Sequence, residues 1–443
     1  MYNSDKIESL TDSGITNHIR AHSYKLTGKD SIPPLLERIG DARIVMLGEA
    51  SHGTHEYYTW RMHISQQLIR EKGFNFIAVE GDWPDCYCVN RYIKNYSYSG
   101  RNAHEVLNQF DRWPTWMWAN WETVALAEWL CAYNKEMPAG KKAGFYGLDV
   151  YSLWESMDAI RRYLQRMDKT ALKVVEKAVL CFEPYRKEDG QGYARASRLV
   201  PAPCETEVVD LLKVIRRKAP IYPSDPEEKF SAGQNALVAV NAEKYYRAMI
   251  GGDVHSWNVR DRHMADTLDR LLQWHGPDAK AIIWEHNTHV GDARATDMKA
   301  EGMVNIGELA RLKYPAEKVV LVGFGSYEGE VMAGSSWGSP MRKMQMPPAK
   351  KGSWEYLLRQ AGAENRLLIM EEFMQDIFLE NEIGHRAIGV VYNPGHEQYS
   401  NYVPTILPRR YDAFIYLDHT NAVHPLHIRP HGHQVPDTYP FGV

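Results

Sequence analysis

The sequence has no excess of either charge: 52 basic residues against 56 acidic ones leave a formal net charge of -4. That is too little positive field to hold nucleic acid or an anionic membrane surface. It also lacks any apolar run long enough to span a bilayer. Its N-terminal stretch MYNSDKIESLTDSGITNHIR is without the basic-then-apolar layout of a secretory leader, so the cytoplasm is the expected compartment. Cysteine is scarce. The five residues, Cys86, Cys88, Cys131, Cys181 and Cys204, are odd in number and follow no disulfide-scaffold spacing, which suits a reducing environment. Cys86 and Cys88 form a C-x-C too short for the usual zinc knuckle and are expected to be buried thiols. Internal repeats and low-complexity tracts are missing as well. What remains is 443 residues, 44% hydrophobic and 24% charged, the mixture of a globular chain able to bury a large core.

Short apolar, β-branched runs, each ending in glycine or a polar residue, lie at 43–47, 74–79, 143–146, 279–284, 319–322, 387–392 and 413–417. They read as buried strands. Helical periodicity fills stretches between them, at 56–72, 122–135, 153–179, 204–218 and 232–250. Alternation of the two predicts an α/β fold with a mainly parallel central sheet flanked by helices. The spacing is uneven, and the long interval before 279 predicts a large helical insertion at 150–275 within a single α/β domain over 1–443. Proline-rich breaks at 199–203 and 219–226 divide that insertion into helix groups. The tryptophan-rich DRWPTWMWANW at 111–121 is expected to be packing.

In an open parallel sheet the ligand crevice lies at the C-terminal strand ends, and the residues following these runs are polar. The first run leads into Gly48-Glu49-Ala50-Ser51-His52-Gly53, the second into Glu80-Gly81-Asp82, the third into Asp149, the fourth into Glu285-His286-Asn287-Thr288-His289. One such carboxylate is usually a cap and one such histidine a satisfied core residue; several at equivalent strand ends suggest a site. His52, beside Gly53, is placed to take a proton from water if a carboxylate orients its ring, and Glu49 or Glu80 is suited to do so. Arg61 on the following helix is suited to hold such a carboxylate ionised or to bind an oxyanion. His286 and His289 face one cavity if a helical turn begins there. Glu49, His52, Glu80, His286 and His289 also compose a divalent-metal donor set, although the spacing matches no H-E-x-x-H motif and the same residues work without a metal, so no cofactor is expected.

Two further motifs are weighed and set aside. Gly334-Ser335-Ser336-Trp337-Gly338 fits G-x-S-x-G, but Pro340 interrupts the helix a nucleophile elbow requires. Gly323-Phe324-Gly325 with Gly329 has a displaced third glycine and acidic neighbours, Glu328 and Glu330, that would repel a pyrophosphate.

The segments GEASHGTHEYY at 48–58 with Arg61 behind it, VEGDWPDCYCVNRYI from Val79, SWNVRDRHM from Ser256, EHNTHVGDARATDM from Glu285 and YNPGHEQYSNYVPTILPRRYDAFIYLD near the C-terminus together resemble the erythromycin esterase family. That group also includes succinoglycan-biosynthesis-like proteins. The resemblance spans nearly the whole chain. It implies His52 as general base, with Glu49, Arg61, Glu80, His286 and His289 completing the catalytic set, and water-mediated opening of an ester or lactone, such as a macrolide lactone, without a covalent serine intermediate. The implied partner is a small-molecule ester or lactone. A different endogenous ester, lactone or amide is an equal expectation for the substrate. The rivals are a metal-dependent hydrolase built on the same residues and a noncatalytic protein that holds a hydrophobic small molecule.

Overall fold

The structure is a computed structural model that describes residues 12–188, 191–197, 204–218, 225–250, 252–373 and 381–427. Among the described residues, eleven strands run in chain order as β1 (Ser23–Lys25), β2 (Ile44–Leu47), β3 (Phe76–Asp82), β4 (Gly144–Asp149), β5 (Ala281–Trp284), β6 (Val319–Gly334), β7 (Met341–Met346), β8 (Arg366–Ile369), β9 (Ile383–Arg386), β10 (Tyr402–Thr405) and β11 (Ala413–Thr420). Among the described residues the chain forms two compact units, 12–74 with 279–425 in the first and 75–278 with 426–427 in the second. The fold is α/β, with mostly parallel central strands flanked by helices, as the alternation of runs predicts.

In the first unit the strand order is β1-β8-β11-β6-β2-β5. The central strands β11, β6, β2 and β5 are mutually parallel, with Leu47 of β2 opposite Trp284 of β5 and Val322 of β6. The outer strands β8 and β1 are antiparallel. All four residues of β2 and of β5 are buried, which is why each reads as an unbroken apolar run rather than an alternating one. The helix His55–Lys72 returns the chain from β2. It enters through extended Thr54 and stops at Gly73, whose left-handed backbone (φ 69°) lets its N–H reach the Leu68 carbonyl. Its buried residues include Tyr57, Arg61, Ile64 and Leu68, spaced three and four apart. Complete burial of an aliphatic residue of this kind contributes about 1.5–3 kcal/mol.

In the second unit β3 and β4 pair in parallel, Phe76 opposite Gly144. The helices Leu153–Met167, Lys169–Phe182, Gln191–Ala196, Glu205–Lys218, Glu228–Ala248 and Asp253–His275 follow. The first five share one apolar cluster that includes Ile160, Val175, Tyr193, Leu211, Ala239 and Tyr246.

Several expectations are corrected. The continuous helix expected over 153–179 is two, because Asp168 ends the first and its carboxylate accepts the Ala171 N–H at 3.0 Å to start the second. The run at 387–392 is not a strand. Its backbone is shared between neighbours, Ile388 N–H donating to Ala50 and Tyr392 N–H to Gly334, while the true strand, β9, lies just before it and pairs with β10. Cys181 and Cys204 form a disulfide, against the expectation of a chain of thiols, and Cys88 is exposed although Cys86 is buried. Most of the residues in the proline-rich breaks, 199–203 and 219–224, lie outside the described residues. The G-x-S-x-G match is the exposed turn between the antiparallel strands β6 and β7, and Gly323-Phe324-Gly325 lies inside β6. Neither occupies the strand-to-helix turn its motif demands. Among the described residues, no helix is long and apolar enough to cross a membrane.

Candidate active site

Because β2 and β5 are parallel neighbours, the residues that follow them emerge side by side at one edge of the first unit's sheet. Gly48 and Gly53 shape the first of these turns. A Cβ on Gly48 would overlap the Asn287 side-chain oxygen, and one on Gly53 would overlap the Met332 carbonyl, so both positions require glycine for close approach. The Gly53 carbonyl accepts the N–H groups of Met332 (3.0 Å) and Val423 (2.9 Å). The turn carrying His52 is therefore pinned from two directions.

Within it, Glu49 Oε1 faces His52 Nδ1 at 2.9 Å, and Arg61 Nη2 donates to the other carboxylate oxygen, Oε2, at 2.5 Å. All three side chains are buried, at 1%, 1% and 0% exposure. The Arg61 guanidinium lies over the rings of Tyr58 and Trp284, 4.7 and 4.8 Å from their centroids. Trp284 is itself fixed by its indole N–H to Ser65 Oγ at 3.0 Å. Contact with aromatic faces suits a guanidinium, which is planar and weakly hydrated.

After β5, His286 caps the short helix Asn287–Val290, its Nδ1 accepting the Thr288 N–H at 3.3 Å and facing Thr288 Oγ1 at 2.8 Å. Its ring centroid is 4.9 Å from that of His52. His289 lies on that helix and is fully buried, as is Glu285. The first unit thus brings together Glu49, His52, Arg61 and His286, with His289 one turn further on.

Glu80 belongs to the second unit, at the C-terminal end of β3. Arg260, from the helix Asp253–His275, donates there to Glu80 Oε1 (2.6 Å) and to both oxygens of Asp149 (3.0 and 2.8 Å) at the end of β4. Trp118, from the tryptophan-rich segment, donates its indole N–H to the Glu80 carbonyl at 2.9 Å, while Trp116 is buried and Trp121 exposed. Burial opposes the charge on Arg260, but Asp149, Tyr151 and Glu80 outweigh it and keep the guanidinium firmly protonated. His263, one turn along, is pushed down to about 4, chiefly by burial and against the pull of Asp149.

Arg260 and His263 escaped the sequence reading, although both sit in SWNVRDRHM. The available signal was the face itself: Arg260, His263 and Thr267 are buried polar residues three and four apart, where a helix should present apolar ones.

Both carboxylate oxygens of Glu49 are engaged, Oε1 with His52 and Oε2 with Arg61. The histidine–carboxylate pair and buried guanidinium provide the groups for proton transfer and for holding negative charge.

Residues 69–420 match the family described as Erythromycin esterase. Erythromycin esterase type II from Escherichia coli is 23% identical over 376 residues, covering 79% of this chain and 85% of that protein. YbfO of Bacillus subtilis (strain 168) is 21% identical over 433 residues, covering 93% and 91%. Among solved structures, a succinoglycan biosynthesis protein superposes with a TM-score of 0.75 at 20% identity, covering 94% of this chain and 98% of the other. An erythromycin esterase mutant in its open conformation gives 0.65 at 17% identity, covering 90% and 97%. The family match extends across both units and most of the chain, and the protein is accordingly a member of the erythromycin esterase family.

Proposed function

We propose that this protein hydrolyses a carboxylic ester or lactone, with His52 activating the attacking water. The observation that carries the proposal is the buried Glu49–His52 pair, braced by Arg61. A carboxylate on Nδ1 fixes the tautomer with hydrogen on Nδ1, which makes Nε2 the basic nitrogen. The neighbouring ring carries the opposite polarity. His286 Nδ1 accepts the Thr288 N–H, so in its neutral form Nε2 bears the hydrogen and acts as a donor.

His52 Nε2 then removes a proton from water as the oxygen bonds to the acyl carbon. His286 Nε2–H stabilises the resulting oxyanion. Collapse of the tetrahedral species expels the alkoxide, which takes its proton from the His52 imidazolium, giving an acid and an alcohol with all protons accounted for. No serine nucleophile enters this scheme, in keeping with the exposed hairpin turn that holds the G-x-S-x-G match. His289, on the same short helix, completes the proposed set in the first unit; Glu80, a carboxylate held by Arg260, belongs to the second unit.

A relative named for erythromycin makes macrolide lactones one candidate substrate class, beside simpler esters and lactones. The test is a mass-spectrometric screen of macrolides, esters and lactones with purified protein, with and without chelator. The proposal expects a substrate that gains one water at a rate indifferent to chelator. Chelator-sensitive turnover with stoichiometric metal would replace it by the metal-dependent mechanism, and tight binding without product by a binding role.

A further inference from the structure

A second buried carboxylate–histidine pair lies in the first unit, and nothing in the proposed reaction uses it. Glu355, on the helix Trp354–Ala361, places Oε1 2.5 Å from Nδ1 of His385 in β9, and the same oxygen accepts the Arg386 N–H at 2.9 Å. Both members of the pair are fully buried. Nε2 of His385 faces the side-chain amide of Asn287 at 3.2 Å. Asn287 is the residue next to His286, and its own backbone N–H donates to the Glu49 carbonyl at 2.8 Å.

The hydrogen-bond donors and acceptors permit one arrangement. Asn287 Oδ1 accepts the Phe324 N–H at 3.3 Å, and Nδ2 donates to the Phe324 carbonyl at 2.6 Å. The amide therefore continues the ladder of β6 and cannot flip without placing like groups together. Its second Nδ2 hydrogen points to His385, which can accept it only as the neutral ring with hydrogen on Nδ1, the tautomer that Glu355 selects. Protonation of His385 would set N–H against N–H. Burial lowers the affinity of this ring for a second proton, and Arg410 and Arg386 act in the same direction against the pull of Glu355. Arg410 also donates to the Asn287 carbonyl at 3.0 Å. Gly48 leaves the space that Asn287 Oδ1 occupies.

We infer that Glu355 and His385 are positioning residues, which fix the Asn287 amide and through it hold Glu49 and His286 in register beside His52. The kinetic part of this inference rests on the hydrolase reading above; the geometric part does not.

Protein carrying 15N-histidine tests the geometry without substrate, with His385→Phe assigning the resonance. The expected result is a neutral His385 with hydrogen on Nδ1 from about pH 6 to 8, and a displaced His286 ring signal in His385→Phe that returns in His385→Gln, whose amide oxygen can accept from Asn287. An Nε2–H tautomer, an imidazolium, or an unmoved His286 signal overturns the inference. On any ester the native protein hydrolyses, His385→Phe should lower kcat on the order of tenfold to a hundredfold with KM changed by less than about twofold, and His385→Gln should recover most of it. Equal losses in both variants would mean that His385 merely fills space. If the native protein hydrolyses nothing, the hydrolase reading fails while the ring signals still decide whether Asn287 is held this way.

Discussion

Arg260 holds two carboxylates, Glu80 and Asp149, in a buried environment. Replacement by methionine removes the guanidinium from that pair and leaves two like charges in the interior. Arg260→Met should therefore destabilise the second unit by about 3–5 kcal/mol, read as a lowered urea midpoint; an unchanged midpoint would show that the pair draws its compensation elsewhere. His263 makes a separate contribution that depends on pH. Its folded value near 4 lies below the ordinary 6.5, so between these values the unfolded chain binds the extra proton and stability falls on acidification. The loss should develop as pH drops from about 6.5 to about 4 and approach about 3 kcal/mol, and His263→Gln should flatten that part of the profile in thermal melts. At this scale Glu49 and His52 were legible because they lie within a few residues of one apolar run, and Arg61 because it sits on the helix that follows. Arg260 was not, since its partners end two different strands and only the fold brings the three together.

At the scale of the element, buried parallel strands and amphipathic helices were readable because burial on both faces produces continuous apolar runs and burial on one face produces a helical period. The strands β1, β9 and β10 are only partly buried and carry no unbroken apolar run, and the fully buried run of β8 was missed. The run at 387–392 looked like a strand because it is apolar, with Ile388, Val390 and Tyr392 buried, yet its backbone bonds to two different partners instead of one ladder. Boundaries depend on single side chains. Asp168→Ala should loosen the start of the helix Lys169–Phe182 at a cost of about 1 kcal/mol, measured as a lower thermal midpoint; no change would mean that the Ala171 N–H finds another acceptor. Gly48→Ala should be more severe, because the added methyl would occupy the position of the Asn287 oxygen and part Asn287 from Phe324. Loss of turnover with retained helical content is the expected reading, and an active variant would contradict the tight turn described for Gly48.

For the whole molecule, both units place their charged clusters at the C-terminal ends of parallel strands, β2 and β5 in one, β3 and β4 in the other. Strand order follows from which apolar runs pair, and sequence patterning does not record that. The cysteine count argued for thiols, but Cys181 and Cys204 are neighbours only after the helices Lys169–Phe182 and Glu205–Lys218 have formed. Their bond should appear in non-reducing peptide mapping. Its loss in Cys181→Ser should lower stability by about 2–4 kcal/mol, and peptide mapping that finds only thiols would remove this staple from the account.

The central claim is that Glu49-oriented His52 performs the proton transfer. It is tested most directly by measuring binding and turnover of one hydrolysed ester side by side for the native protein and His52→Ala. The account predicts that kcat falls by about a hundredfold to ten-thousandfold while the dissociation constant stays nearly constant. A His52→Ala variant that turns over at the native rate would contradict it.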